Sequence, residues 1–383
     1  MVKITSCLLA AGLMTAPAAS HIRTPLSRHA VQSQQGPHVV SRAAILIDAR
    51  TGAILYEKNA FKQMDPASVT KMMTALLVIQ HGHLSRTVTI SRQAAYTVGS
   101  RLHIAPGQKY TVYDLLHGLL MRSGNDASVA LAEADAGSVN KFVAKMNMSA
   151  QELGAFNTQF ENPNGLTKPG HFSTAYDLAL IARHAMRIPL FRKIVASKEA
   201  YVTELRGRNR RTLNNTNQLL YTFPGANGVK TGTTDAAGKC LVASAARNGD
   251  ELIAVVLHSQ DRYRDARHLL EWGFEHWATI PVLEPGTAVA KAPVAGGQSP
   301  LVPLEPDRTV WLSLPNQETY HMTPTVTALQ APVLRRQPAG FITVTTPGQP
   351  AVVTGLRTMQ SDGVRAPRHP LWHWLKSLFS RGK

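Results

Sequence analysis

Short apolar runs rich in β-branched residues open and close the larger part of this chain, and helical periodicity fills the stretch between them. Ala43–Asp48 and Ala53–Glu57 are two such runs around Ala49-Arg50-Thr51-Gly52, the pattern of a hairpin with glycine at its turn. From Asp65 the signals change. Asp65 is expected to cap a helix whose first position is Pro66 and whose apolar face carries Met72, Met73, Leu76 and Leu77. Further helices are expected at 112–121, 126–136 and 174–186, then strands at 228–234, 239–246 and 251–258, then a last helix between Arg264 and Trp277. Strands at both ends with helices between them predict an α/β (α+β) core whose sheet joins the two ends of the unit.

Beyond Ile280 the texture becomes proline-rich and β-branched, as in 309–314, 323–329 and 341–346, which predicts a second, all-β unit. The length of 383 residues exceeds what one core holds, about 250–300 residues, so the expected division is a first domain over 39–278 and a β domain over 279–364. Residues 21–38 are polar and aperiodic and read as a leader. Residues 1–20, with Lys3, an apolar Ile4–Met14 and Ala16-Pro17-Ala18-Ala19-Ser20, read as a signal peptide; an uncleaved anchor is the alternative, for which the stretch is short. Export would leave Cys240 as the single cysteine, since Cys7 lies in the signal, so no intrachain disulfide is expected.

The formal charge of +17 invites a polyanion as partner. Export removes nucleic acid and leaves anionic lipid and acidic cell-wall peptide. The densest internal cluster, Arg206, Arg208, Arg210 and Arg211, also reads simply as a solvated loop. At the C-terminus, residues 365–383 place Leu371, Trp372, Trp374, Leu375, Leu378 and Phe379 on one helical face with basic residues around it. That is the form of an amphipathic helix lying on an anionic membrane surface, against the alternative of a helix packed on its own domain.

Ser68-Val69-Thr70-Lys71 places a hydroxyl and an amine three residues apart at a helix start, on one face. A serine needs a base within reach to become a nucleophile, and a desolvated lysine can serve. The spacing alone is weak, because Ser138/Lys141 and Ser380/Lys383 repeat it. Ser123-Gly124-Asn125 at a helix–helix junction and Lys230-Thr231-Gly232 on a strand supply two more walls for Ser68, whereas Ser138-Val139-Asn140 overlaps its own Ser-x-x-Lys. At these three motifs the chain resembles the penicilloyl-serine transferase superfamily of β-lactamases and penicillin-binding proteins.

The stretches 65–75, 122–128, 162–166 and 228–233 resemble more closely the low-molecular-mass D-alanyl-D-alanine carboxypeptidases, and 292–297 with 331–333 is similar to that family's C-terminal β domain. The resemblance implies a β-lactamase/DD-peptidase-like catalytic domain acting on peptidoglycan stem pentapeptides, acylated by β-lactams, without metal or cofactor, on the periplasmic face of the inner membrane. It implies Ser68 as nucleophile, Lys71 as its base, Ser123 as proton relay and Lys230 as positive charge. Asn125 would hold the substrate amide, Thr231, with Gly232 beside it, the terminal carboxylate, and the N–H groups of Ser68 and Thr233 the oxyanion. Some members have histidine at the place of Thr233. Arg262, expected in the loop before the last helix, resembles a family arginine on the substrate carboxylate, with Arg264 as the competing choice.

Other candidates have plainer readings. His81-Gly82-His83 could hold a metal but reads as a solvated loop after a helix, and Cys240 as a buried small residue. Glu161 stands roughly where a class A β-lactamase keeps its deacylating glutamate, but Glu161-Asn162-Pro163-Asn164 lacks the Glu-x-x-x-Asn spacing. The rival functions are a β-lactamase and a catalytically silent cell-wall scaffold.

Overall fold

The computed structural model describes residues 36–207, 210–316 and 318–366. The expected signal peptide, most of the leader, Arg208, the Ser380/Lys383 pair and the tail from residue 367 on lie outside the described residues. Along the chain, β1 (Ala43–Asp48) and β2 (Ile54–Lys58) form the expected hairpin, followed by a 3₁₀ turn (Ala67–Thr70) leading into α1 (Lys71–His81). Next come β3 (Thr87–Thr89), α2 (Arg92–Ala95) and β4 (Lys109–Thr111), then α3 (Val112–Arg122), α4 (Asn125–Ala136) and α5 (Val139–Glu152). After α6 (Ala175–Met186) and α7 (Pro189–Ala196), β5 (Glu199–Thr203) and β6 (Arg210–Asn214) make a hairpin, and α8 (Leu219–Thr222) leads to β7 (Ala226–Thr234), β8 (Gly238–Arg247), β9 (Asp250–Ser259) and α9 (Arg262–His276).

The central sheet has the order β2-β1-β9-β8-β7, antiparallel throughout, so the first strands of the unit pair with nearly its last one. Alternation of side chains gives it two faces. Ile45, Ile47, Ile253 and Val255 face a large core with α1, α3, α4 and α6, while Ala44, Leu46, Ala254 and Val256 face α9 through Leu269 and Leu270. Both faces are covered, which is why β1 reads as an unbroken apolar run and is buried at every position. Before β1, the amides of Val40 and Ser41 donate to Asp265 on α9, and Val39 is buried.

Two local expectations are corrected. Asp65 does not cap: Pro66 takes the N-cap of the 3₁₀ turn, with no side-chain cap, and the α-helix begins at Lys71. A proline at the cap followed by Ala67 at φ +49° turns the chain sharply before Ser68, which favours a tight turn over regular helix. Arg262 lies in the first turn of α9 and not in the preceding loop, because Asp261 caps that helix by accepting from Arg264 N.

After α9 the chain is β: β10 (Trp277–Leu283), β11 (Ala290–Ala295), β12 (Leu301–Pro306), β13 (Val310–Pro315), β14 (His321–Val326), β15 (Leu329–Gln330), β16 (Pro338–Thr345) and β17 (Val352–Thr358). β10 pairs with β13, and the others form a sheet in the order β14-β16-β17-β12-β11-β15. Val302, Leu304, Leu312, Ile342, Val344 and Leu356 share its separate core. Thr279 joins it to the first sheet, donating to Asp48, while the Thr51 and Ser313 hydroxyls meet at 2.6 Å. Among the described residues no helix is long and apolar enough to cross a membrane.

Candidate active site

Four segments from different parts of the chain meet at the start of α1. The Ser68–Lys71 spacing on the 3₁₀ turn puts Lys71 Nζ 2.8 Å from Ser68 Oγ. The same amine donates to Asn125 Oδ1 at 2.7 Å and to the Asn164 carbonyl at 2.5 Å. Asn125 opens α4 two residues after Ser123, whose left-handed backbone (φ +60°) ends α3 and turns the chain so that both residues are buried at the junction.

The Asn164 carbonyl is held in place from behind. Thr74 and Ser128 both donate their hydroxyls to the neighbouring Pro163 carbonyl, at 2.6 Å each, and Asn162 Oδ1 accepts from the Gly165 amide. Gly165 has φ +84°, and a Cβ there would stand 1.9 Å from the Ala67 carbonyl oxygen, so the loop rests directly on the nucleophile's turn. The motif at 162–166 was visible in the sequence, but the role of a backbone carbonyl leaves no residue signature. Its one clue was the glycine after Asn164.

β7 forms the opposite wall. It passes so near that a Cβ on Gly232 would lie 2.9 Å from Ser68 N. Lys230 is buried, and its amine donates to the Thr231 carbonyl at 2.8 Å. The Thr231 hydroxyl meets that of Thr216 at 3.0 Å. Arg262 Nη1 donates to the Gly232 carbonyl and to Thr233 Oγ1, both at 2.9 Å, which holds the guanidinium against the exposed Thr233. Arg264 is exposed and makes no comparable contact among the described residues. The Ser123 hydroxyl lies at this junction but is not among the groups that hold the Lys71 amine.

Burial drives the electrostatics. Lys71 is pushed well below the ordinary lysine range by desolvation, then by the nearby Lys230 charge, with Asp126 opposing. Lys230 is lowered to about 7 by desolvation and by Arg262. His171 is lowered to about 4 by burial; its Nδ1 accepts from Glu161 N, so Nε2 carries the proton toward Thr70 Oγ1 at 3.0 Å.

The remaining candidates lie elsewhere. Ser138 is the N-cap of α5, its hydroxyl accepting from Lys141 N, so this Ser-x-x-Lys is a capping arrangement. His81 pairs with Asp135, and among the described residues no three His, Cys, Asp or Glu side chains could share a metal. Cys240 is buried, its thiol raised to about 11 by desolvation. Glu161 is in a loop, paired with Lys168 at 3.2 Å. Arg211 is tied to the Leu102 carbonyl and Arg210 lies over the Tyr201 ring, so these two of the arginine cluster are partly spent on structure.

A helical layer on an antiparallel sheet, with a serine and a buried amine at the head of the first core helix and a Lys-Thr-Gly strand beside it, defines an acyl-transferring serine hydrolase. The model of the family described as D-alanyl-D-alanine carboxypeptidase, Peptidase S11, matches residues 30–261. The chain is 39% identical over 272 residues to D-alanyl-D-alanine carboxypeptidase DacF of Bacillus subtilis (strain 168), covering 69% of this chain and 70% of that one. It is 34% identical over 351 residues to DacC of Escherichia coli (strain K12), covering 86% of each. Among solved structures it resembles penicillin-binding protein 5 from Haemophilus influenzae, with TM-score 0.74 and 32% identity over 86% of this chain and all of that one. The chain belongs to the serine D-alanyl-D-alanine carboxypeptidase family and is a hydrolase of that type, with the fold of the low-molecular-mass penicillin-binding proteins.

Proposed function

We propose that the chain removes the terminal D-alanine of peptidoglycan stem pentapeptides, with Ser68 as nucleophile and Lys71 as its base. The observation that carries this is the set of partners around the Lys71 amine. Asn125 Oδ1 and the Asn164 carbonyl can only accept, so they take two N–H bonds and turn the remaining position toward Ser68 Oγ. A neutral amine has two N–H groups and one lone pair, and burial favours that form of Lys71. The lone pair therefore meets the serine hydroxyl.

In the first half-reaction Ser68 Oγ attacks the D-Ala–D-Ala carbonyl while its proton passes to Lys71. The N–H groups of Ser68 and Thr233 stabilise the oxyanion. Ser123 relays the proton to the departing amine as the C–N bond breaks, leaving the acyl ester and free D-alanine. Asn125 orients the substrate amide, while Thr231 beside Gly232 and the guanidinium of Arg262 receive the terminal carboxylate, which Lys230 favours electrostatically. Water then attacks the ester through the same groups. Release of D-alanine from a synthetic stem pentapeptide tests the reading, and no release by a folded protein that still binds penicillin covalently would overturn the substrate assignment.

We place this chemistry outside the cytoplasm. The catalytic unit over 39–278 and the β unit over 279–364 would follow a cleaved signal, and residues 365–383 would hold the enzyme to the anionic inner-membrane surface. Removal of residues 366–383 tests this: the truncated enzyme is expected in the soluble fraction with its activity intact.

A further inference from the structure

Asp126 has no part in the chemistry above, yet its side chain is completely buried, and among the described residues it has no ion-pair partner. A buried carboxylate is costly unless hydrogen bonds and nearby charge offset it. Its Oδ1 accepts from Leu102 N at 3.0 Å and Ala127 N at 2.9 Å, and Oδ2 lies 3.4 Å from Ile104 N. Ala127 N belongs to the first turn of α4, where a negative charge suits the helix end.

The segment it grips runs straight to Asn125. The Val98 carbonyl accepts from Asn125 Nδ2 at 2.6 Å, and the Ser100 carbonyl accepts from Asn125 N at 2.8 Å. The Leu102 carbonyl is held from the other side by Arg211 at 2.5 Å. Gly99 turns beneath this contact at φ +86°, where a Cβ would stand 2.7 Å from Asn125 Nδ2. With Nδ2 held by Val98, the amide can present only Oδ1 to Lys71.

We propose that Asp126 is a positioning residue of the acylation site: its carboxylate fastens the Val98–Ile104 segment, which orients the Asn125 amide on Lys71, and its negative charge acts on the buried Lys71 amine. The inference rests on Lys71 being the proton acceptor. Facing this cluster are Lys71 on α1, Lys230 on β7 with Arg262 behind it, and His171 with Glu161 and Lys168 on the loop before α6; Arg211 on β6, Tyr110 on β4 and Glu204 lie beyond Leu102. Of the groups acting on Lys71, Asp126 favours the charged amine, against Lys230 and burial. Removing the Asp126 charge must therefore lower the pH at which Lys71 takes up its proton.

The test is the second-order rate of acylation by a fluorescent penicillin from pH 4 to 9, on the whole enzyme, beside the thermal midpoint. The wild-type rate is expected to fall on the acid side as Lys71 protonates. In Asp126→Asn, which keeps the Oδ1 acceptor, the midpoint of that fall is expected at least ~0.5 pH unit lower. Arg211→Met loosens the same segment from its half-buried side and leaves the Asp126 charge in place. It is expected to slow acylation ~3- to 10-fold with the acid midpoint unmoved. An unshifted midpoint in Asp126→Asn, with only a lower thermal midpoint, overturns the inference, as does unchanged acylation in Arg211→Met. A wild-type profile without an acid limb would overturn the Lys71 reading first and this inference with it.

Discussion

Gly165→Ala is the substitution whose effect the geometry specifies most fully. The alanine Cβ would stand 1.9 Å from the Ala67 carbonyl oxygen, 2.4 Å from its carbon and 3.0 Å from Ser68 N, all backbone atoms that cannot rotate away. Relieving that overlap needs a displacement of about 1.5 Å, since carbon makes ordinary contacts at about 3.5 Å. Because Asn164 precedes Gly165 directly, its carbonyl moves with it, and the 2.5 Å bond to Lys71 Nζ is lost. Leaving a buried donor without its acceptor costs about 1–3 kcal/mol, so acylation should slow by roughly 5- to 150-fold. The left-handed backbone adds about 1–2 kcal/mol of instability for a residue with a Cβ. Gly154→Ala separates the two effects, because Gly154 has φ +79° but nothing within 4 Å of the added carbon. That control should lower the thermal midpoint and leave the rate of labelling by fluorescent penicillin unchanged. Labelling of Gly165→Ala within twofold of wild type, by protein that is folded, would refute the argument that this loop sets the base.

Four further outcomes are expected. Ser68→Ala should abolish covalent penicillin labelling and Ser138→Ala should leave it intact, as intact-mass measurement will show. Lys230, lowered to about 7 in the folded state from an ordinary 10.5, carries its charge only below about pH 7 in the free enzyme, so KM for a carboxylate-ended peptide should rise above that pH and lose the dependence in Lys230→Met. His171 is lowered from 6.5 to about 4, so the unfolded chain takes up a proton that the folded one refuses as pH falls from 6.5 to 4; stability should drop by roughly 3 kcal/mol over that window, and urea midpoints of His171→Gln should lack the drop. The penicilloyl enzyme should outlast the peptidyl one, because the tethered leaving group obstructs water, and Glu161→Gln should not change its lifetime.

The catalytic unit was legible where burial is most complete. The apolar run at 43–48 and the helix over 71–81 appear at the expected places because both are covered on all sides, the helix from Lys71 to Val78, and that leaves few alternatives. Helices α5 and α7 and the β5–β6 hairpin went unread. α5 buries Phe142, Met146 and Ala150 and α7 buries Phe191, Ile194 and Val195, each at helical spacing, so their periodicity stood in the sequence and was passed over; the hairpin buries only Val202 and Leu213 and leaves Tyr201 and Arg210 exposed. Ser138 shows a different limit, since a capping serine and a nucleophile share one local spacing. At the candidate site, side chains such as Lys71 and Asn125 were legible because chemistry restricts residue type. The Asn164 carbonyl and the Asp126 carboxylate were not: one belongs to every residue, and the other acts only through amides brought close by folding.

The strand order of the central sheet also sets a timetable. β1 lies between β2 and β9, and β9 follows it by about two hundred residues, so the strand that anchors the N-terminal half waits for a partner made last. At a synthesis rate of ~5–20 residues per second, that delay is roughly 10–40 s. During it, the apolar faces of β1 and α1 have no sheet to cover them, and Lys71 has no β7 wall to keep water away. A chain of this topology emerges chemically inert and adhesive, and becomes a hydrolase only when its distant halves close on each other. Latency until the distant strands pair is thus a property of the pairing order itself.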